Sequence, residues 1–251
     1  MAKKIPYGLT DYVLVMTDNY YYVDKTQYID LLEQTGRFLF LIRPRRFGKS
    51  LFLNMLNCYY DVKYADRFEE LFGNQYIGKH PTAEQGKYLV LRFNFSMVRA
   101  TDDKLEAAFN RHISLETAYF ASVYASYFKP DFQEQLKLIP EAAGRLEYIC
   151  LCAKEQGLSI YLLIDEYDNF TNTILSSKGN DVYHSLTHDS GFYRSFFNVV
   201  KGVTTGAEAP VKRMFITGVS PVTLDDVTSG FNIGTNITTN EQFNSMVGFS
   251  E

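Results

Sequence analysis

The sequence predicts an α/β fold of three layers: a central, mainly parallel sheet with helices on both faces, plus a helical insertion. Three runs point to it. Phe38-Leu39-Phe40-Leu41-Ile42 is a short apolar stretch that leads into Arg43-Pro44-Arg45-Arg46-Phe47-Gly48-Lys49-Ser50 and then an apolar helical run from Leu51 to Tyr60. Tyr161-Leu162-Leu163-Ile164 is a second apolar stretch, ending in Asp165-Glu166. Met214-Phe215-Ile216 is a third, turning polar at Thr217 and Ser220. Short apolar runs separated by helical periodicity are the pattern of strands buried on both faces.

Residues 1–36 read as an N-terminal extension and 37–251 as the core. In the extension, Tyr20-Tyr21-Tyr22-Val23 is extended, and Tyr28, Ile29, Leu31 and Leu32 mark a helix capped by Asp24 or Thr26. The three tyrosines are expected to pack in the protein rather than stack on a base. In the core, Phe68 to Gly78 reads as a linker and Tyr88 to Phe95 as a strand rich in aromatic and branched residues. A long helix is expected from about Asp102 to Phe128, ended by Pro130. Another starts near Glu141 and stops at Gly157, a C-terminal cap just ahead of the strand that carries Asp165. Thr171 to Gly191 is polar and aperiodic, which reads as a long surface loop. Phe192 to Val200 reads as a short apolar helix bearing Arg194.

The 251 residues, 46% hydrophobic, fit one large domain better than two. A net charge of −4 argues against a uniformly basic nucleic-acid surface and leaves room for a local patch at Arg43, Arg45 and Arg46, expected to face phosphates. Cys58, Cys150 and Cys152 lack metal-site spacing and read as reduced thiols. His184 and His188 are four apart but lack the glutamate of zinc-protease motifs. No run is long enough to span a bilayer, and the charged N-terminus precedes no signal-like apolar stretch, so a soluble, cytoplasmic protein is expected.

The chemistry is written at the strand ends. Residues 43–50 fit the phosphate-binding pattern G-x-x-x-x-G-K-[ST] except at its first position, where Arg43 replaces glycine. Gly48 lets backbone N–H groups approach phosphate oxygens, Lys49 reaches the outer phosphates, and the Ser50 hydroxyl suits Mg²⁺. Arg45, Arg46, Phe47 and Leu51 complete the candidate binding loop, which opens a helix whose positive dipole end faces the anion. Asp165 is placed to hold the same Mg²⁺ and Glu166 to activate water. Thr217 and Ser220 are candidates for sensing the terminal phosphate or are simply turn residues. Arg194 or Arg213 is either an arginine finger or a surface charge.

On these residues the chain resembles the bacterial AAA-ATPase-like proteins, P-loop ATPase domains often fused to a C-terminal restriction-endonuclease-like nuclease domain. The match is carried by Ile5-Pro6-Tyr7-Gly8, Tyr22-Val23-Asp24-Lys25-Thr26, Arg43 to Leu51, Leu163 to Asp168 and Thr217-Gly218-Val219-Ser220. It continues through Ser229-Gly230-Phe231-Asn232 and Gly248-Phe249-Ser250-Glu251. The resemblance implies that the Thr217 strand lies between the other two, with Thr217 facing the phosphates, and that the nucleotide is ATP. It also implies that a helical lid and the nuclease domain would begin about where the chain stops, so slow hydrolysis, self-association and nucleic-acid contact through the missing domain are expectations. Asn169-Phe170 stands where relatives are expected to carry a proline nearby. A nucleotide-gated interaction module and a small-molecule kinase are the competing readings.

Overall fold

Alternation along the strands sorts the apolar side chains into two cores. In the strand Ile160–Asp165, Ile160, Leu162 and Ile164 join one buried cluster while Tyr161 and Leu163 join another. Side chains on a pleated strand point to opposite faces in turn, so a sheet covered on both sides reads as continuous apolar sequence. The structure, a computed structural model, describes residues 3–98, 104–188, 191–220 and 234–248. The residues Ser229 to Asn232 and Phe249 to Glu251 of the resemblance lie outside these.

In chain order the elements are α1 (Tyr12–Thr17), α2 (Tyr28–Thr35), β1 (Phe38–Ile42), α3 (Lys49–Tyr60), α4 (Phe68–Phe72), α5 (Tyr76–Lys79) and β2 (Leu89–Asn94). Then come α6 (Leu105–Val123), α7 (Phe132–Lys137), α8 (Ala142–Glu155), β3 (Ile160–Asp165), α9 (Asn169–Lys178), α10 (Asn180–Thr187), α11 (Phe192–Thr204), β4 (Val211–Gly218) and β5 (Thr235–Asn236). The strands form a five-stranded sheet in the order β2-β3-β4-β1-β5, every pair parallel. β4 therefore lies between β1 and β3, as the resemblance implies. One core packs α1 to α5 on the sheet through Tyr12, Ile29, Phe52, Leu56 and Phe72. The other packs α6 to α11 through Phe109, Ile113, Leu146, Ile149 and Phe196. The helical insertion is α6 to α8, the crossover from β2 to β3.

The structure departs from the sequence expectation at five points. Residues 68–78 are not a linker: α4 and α5 bury Leu71, Phe72 and Ile77. Elements this short carry too little periodicity to be read. Residues 171–187 are not a loop either, but α9 and α10 joined at Gly179, whose φ of 86° suits glycine. Their polar side chains bond back to the helix itself, Thr173 to the Asn169 carbonyl at 2.8 Å and Ser177 to that of Thr173 at 2.7 Å. Phe170, Ile174, Tyr183 and Leu186 supply the buried face.

Asp24 and Thr26 do not cap α2. Its first residue is preceded by Gln27, which makes no capping bond. Instead Asp24 accepts the Tyr76 N–H at 2.7 Å and Thr26 accepts that of Ile77 at 3.1 Å, so the pair caps α5 across 50 residues of chain. Finally, the long helix expected to reach Phe128 ends at Val123, and α11 runs past Val200 to Thr204.

Candidate functional site

The polar groups converge at the carboxyl ends of the strands, where open parallel sheets bind ligands. β1 ends at Ile42, paired with Gly218 at the end of β4, and the Arg43 N–H extends this ladder onto the Gly218 carbonyl at 3.1 Å. The chain then turns through Arg46 at φ 68° and Gly48 at φ 83°, and α3 begins at Lys49. A side chain on Gly48 would meet nothing within 4 Å. Its backbone conformation, not crowding, favours glycine there, and the open space lets an anion approach the start of α3.

Ser50 joins the loop to β3: its hydroxyl donates to Asp165 Oδ2 at 2.6 Å. Thr217 donates to the other oxygen, Oδ1, at 2.6 Å. Asp165 is thus fully buried with a hydroxyl on each side. Thr217 is fully buried as well. Hydroxyl and carboxylate oxygens are the donor set a hard cation such as Mg²⁺ takes, and this ion keeps several waters, so one or two protein ligands suffice. Among the described residues no group of three or more His, Cys, Asp or Glu side chains gathers as a ligand set.

Lys49 is 4% exposed, and its ammonium donates to the Arg43 carbonyl at 2.8 Å and the Pro44 carbonyl at 2.9 Å. Burial lowers its pKa, opposed by the nearby charges of Glu166, Asp165 and Asp168. Glu166 is half-buried in the left-handed conformation, φ 51°, with Asn169 Nδ2 on its Oε2 at 3.2 Å. Burial raises its pKa and Asp165 adds to the rise, while Lys49 and Arg45 favour the ionised form. The two adjacent carboxyls therefore differ: Asp165 is held by two hydroxyls, while Glu166 carries one amide bond from Asn169 and feels the charges of Lys49 and Arg45.

Arg45, Arg46 and Phe47 are exposed on the loop, and Leu51 packs into the core beneath it, leaving its backbone for the binding role. Arg43 departs from expectation: its guanidinium turns away to the Thr238 carbonyl and to Asn244 Oδ1. Arg213 is also removed from the site, since it pairs with Tyr161 near the opposite end of the strands and lies 3.5 Å from Glu84. Arg194 sits in the first turn of α11. The rings of His184 and His188 meet each other at 3.1 Å on the surface of α10.

The sequence reading gave no role to Asp168. Its carboxylate, 1% exposed, accepts the N–H groups of Val219 at 3.1 Å and Ser220 at 2.6 Å and the Asn172 amide at 2.8 Å. It fastens the turn after β3 to the turn after β4. Gly218 lets them meet, because a Cβ there would lie 2.2 Å from the Tyr167 ring. The spacing Asp165-x-x-Asp168 was the available signal, but the loop it binds comes from 50 residues away. Asp168→Ala is expected to lower the unfolding free energy by about 1–3 kcal/mol, since two part-buried N–H groups lose a charged acceptor. Urea unfolding measures it, and a loss under about 0.5 kcal/mol would contradict this account.

No solved structure matches this chain. A curated relative, the "Uncharacterized protein in vnfD 5'region" of Azotobacter chroococcum mcd 1, is 26% identical over 257 residues, covering 99% of this chain and 43% of the relative. The chain thus spans less than half of that protein's length. Residues 6–228 match the family described as "Predicted AAA-ATPase", a stretch that holds the loop 43–50, the Asp165-Glu166 turn, Asp168 and Thr217; the chain belongs to that family.

Proposed function

We propose that the chain binds ATP with Mg²⁺ and hydrolyses the terminal phosphate, using the cycle to drive or gate a fused or partner domain. The observation that carries this reading is the 2.6 Å bond from Ser50 to Asp165, which joins the phosphate loop to the carboxylate strand at one point. Gly48 and the first turn of α3 receive phosphate oxygens through backbone N–H groups, and Lys49 leaves its loop carbonyls to neutralise the outer phosphates. Ser50 and Asp165 are the protein ligands of Mg²⁺, which when bound offsets charge on the phosphate oxygens. Glu166 takes a proton from the attacking water; its raised pKa keeps it basic enough for that role. Thr217 holds the Asp165 carboxylate in orientation from behind.

The hydrogen bond from Asn169 to Glu166 favours a second reading, a nucleotide-gated interaction module with little turnover, because it occupies one oxygen of the proposed base. Calorimetric titration with ATP and GTP, with and without Mg²⁺, followed by phosphate release, tests both. Saturable ATP binding with release supports the ATPase, binding without release supports the module, and no binding of either nucleotide overturns both.

Asp165→Asn is expected to weaken Mg-ATP binding by about 10–100-fold, the usual cost of disturbing a metal's surroundings. Metal-free ATP binding should fall much less. Equal losses with and without Mg²⁺ would mark Asp165 as purely structural.

A further inference from the structure

Arg43 occupies the one position where the phosphate loop departs from its general pattern, and the structure gives that departure a physical reason. The general pattern has glycine there, at the start of a loop whose backbone N–H groups cradle phosphates. Here the backbone at Arg43 stays in the sheet ladder, and the left-handed residues are Arg46 and Gly48 instead. A side chain is therefore tolerated, and it is used. The guanidinium donates to the Thr238 carbonyl, to Asn244 Oδ1 at 3.4 Å and to the Ile42 carbonyl at 3.3 Å. Beside it the Ile42 N–H donates to Thr238 Oγ1 at 2.9 Å.

The far end of the loop meets the same segment. A Cβ on Gly248 would lie 3.0 Å from the Phe47 ring, so the two surfaces are in close contact. The segment is itself anchored: Ile237, Phe243 and Met246 are fully buried, and Lys25 donates to the Ser245 carbonyl at 2.6 Å. Lys49 completes the connection, because its ammonium rests on the carbonyl of Arg43. When Lys49 turns to a phosphate, the peptide it leaves is the one whose side chain holds Thr238 and Asn244.

We infer that Arg43 is a positioning residue that ties the phosphate loop to segment 236–248, so that loop and segment are held, and respond to nucleotide, as one unit. The nucleotide response rests on the ATP reading above; the tether does not. Planar, multiply bonded arginine suits this task, and lysine keeps only part of it.

Hydrogen exchange on the ligand-free chain tests the tether directly. Arg43→Leu is expected to speed exchange of amides in 43–48 and 236–248 by roughly tenfold, with β3 and α8 unchanged, and Arg43→Lys to fall between it and the parent. Should Arg43→Leu fail to fold, Asn244→Ala removes one guanidinium contact and is expected to loosen the same two segments less. Unchanged exchange in both segments overturns the tether. Arg43→Gly, which restores the general pattern, is then expected to bind Mg-ATP roughly tenfold more weakly than the parent and to lose the nucleotide-induced protection of 236–248. Equal or tighter binding overturns the positioning role. If the parent chain binds neither ATP nor GTP, the ATP reading fails, and the ligand-free exchange still decides the tether.

Discussion

Lys49→Met is expected to cut ATP affinity by about 100-fold or more while leaving the unfolding temperature of the ligand-free protein unchanged or slightly higher. The affinity loss follows from removing the point charge at the phosphates. The stability expectation comes from burial. The fold lowers the pKa of Lys49 because its ammonium is shielded from water, so the charged form works against folding at neutral pH. An unfolded chain holds that proton more tightly, and stability contributed by this group rises as pH climbs through the lowered pKa toward the ordinary lysine value. Methionine keeps the stem that packs at the start of α3 and removes the charge. Calorimetry and thermal unfolding check the two halves separately. Undiminished ATP affinity in a folded variant would mean that the loop is not a phosphate site.

Glu166→Gln separates turnover from binding. Phosphate release should fall by about 10²–10⁴-fold, the range for a positioned general base, with ATP affinity within a few fold of the parent. The same substitution should raise the unfolding temperature at pH 7. The folded pKa of Glu166 lies above its ordinary value of 4.5, so the folded state disfavours the ionised carboxylate. Its contribution to stability is most favourable below pH 4.5 and is lost as pH rises through the raised pKa, so the advantage of glutamine should shrink on acidification. Parent turnover should decline on the acid side across that same interval. A variant that hydrolyses ATP as fast as the parent would remove Glu166 from the chemistry.

The sequence carried the α/β class and the strand ends because those signals are local. A buried parallel strand is a continuous apolar run, and Gly48-Lys49-Ser50 and Asp165-Glu166 lie directly at the ends of such runs. What could not be read were pairings across distance. Asp24 and Thr26 look like caps for the helix beside them, yet they serve the N–H groups of Tyr76 and Ile77. Asp168 looks like one more acidic residue of a turn until β4 brings Val219 and Ser220 to it. Arg43 looked like a phosphate ligand because its neighbours do, and it is the segment after β5 that claims it. The helices over 169–187 were hidden for another reason: their serines and threonines close on their own backbone, and composition alone does not distinguish that from a solvated loop.

The position of β1 sets an order for the assembly of the protein on the ribosome. Both its neighbours, β4 and β5, come from far along the chain, and Phe38 cannot meet Met214 until nearly the whole domain has been synthesised. Parallel pairings of such long sequence separation form late, after the entropy of closing the intervening chain has been met. Until then Phe38-Leu39-Phe40-Leu41-Ile42 is an uncharged, aromatic-rich segment with two open edges, the type of sequence that pairs with other copies of itself. The nascent chain is therefore exposed to aggregation at the strand that leads into loop 43–50, and that loop takes shape among the last parts of the domain.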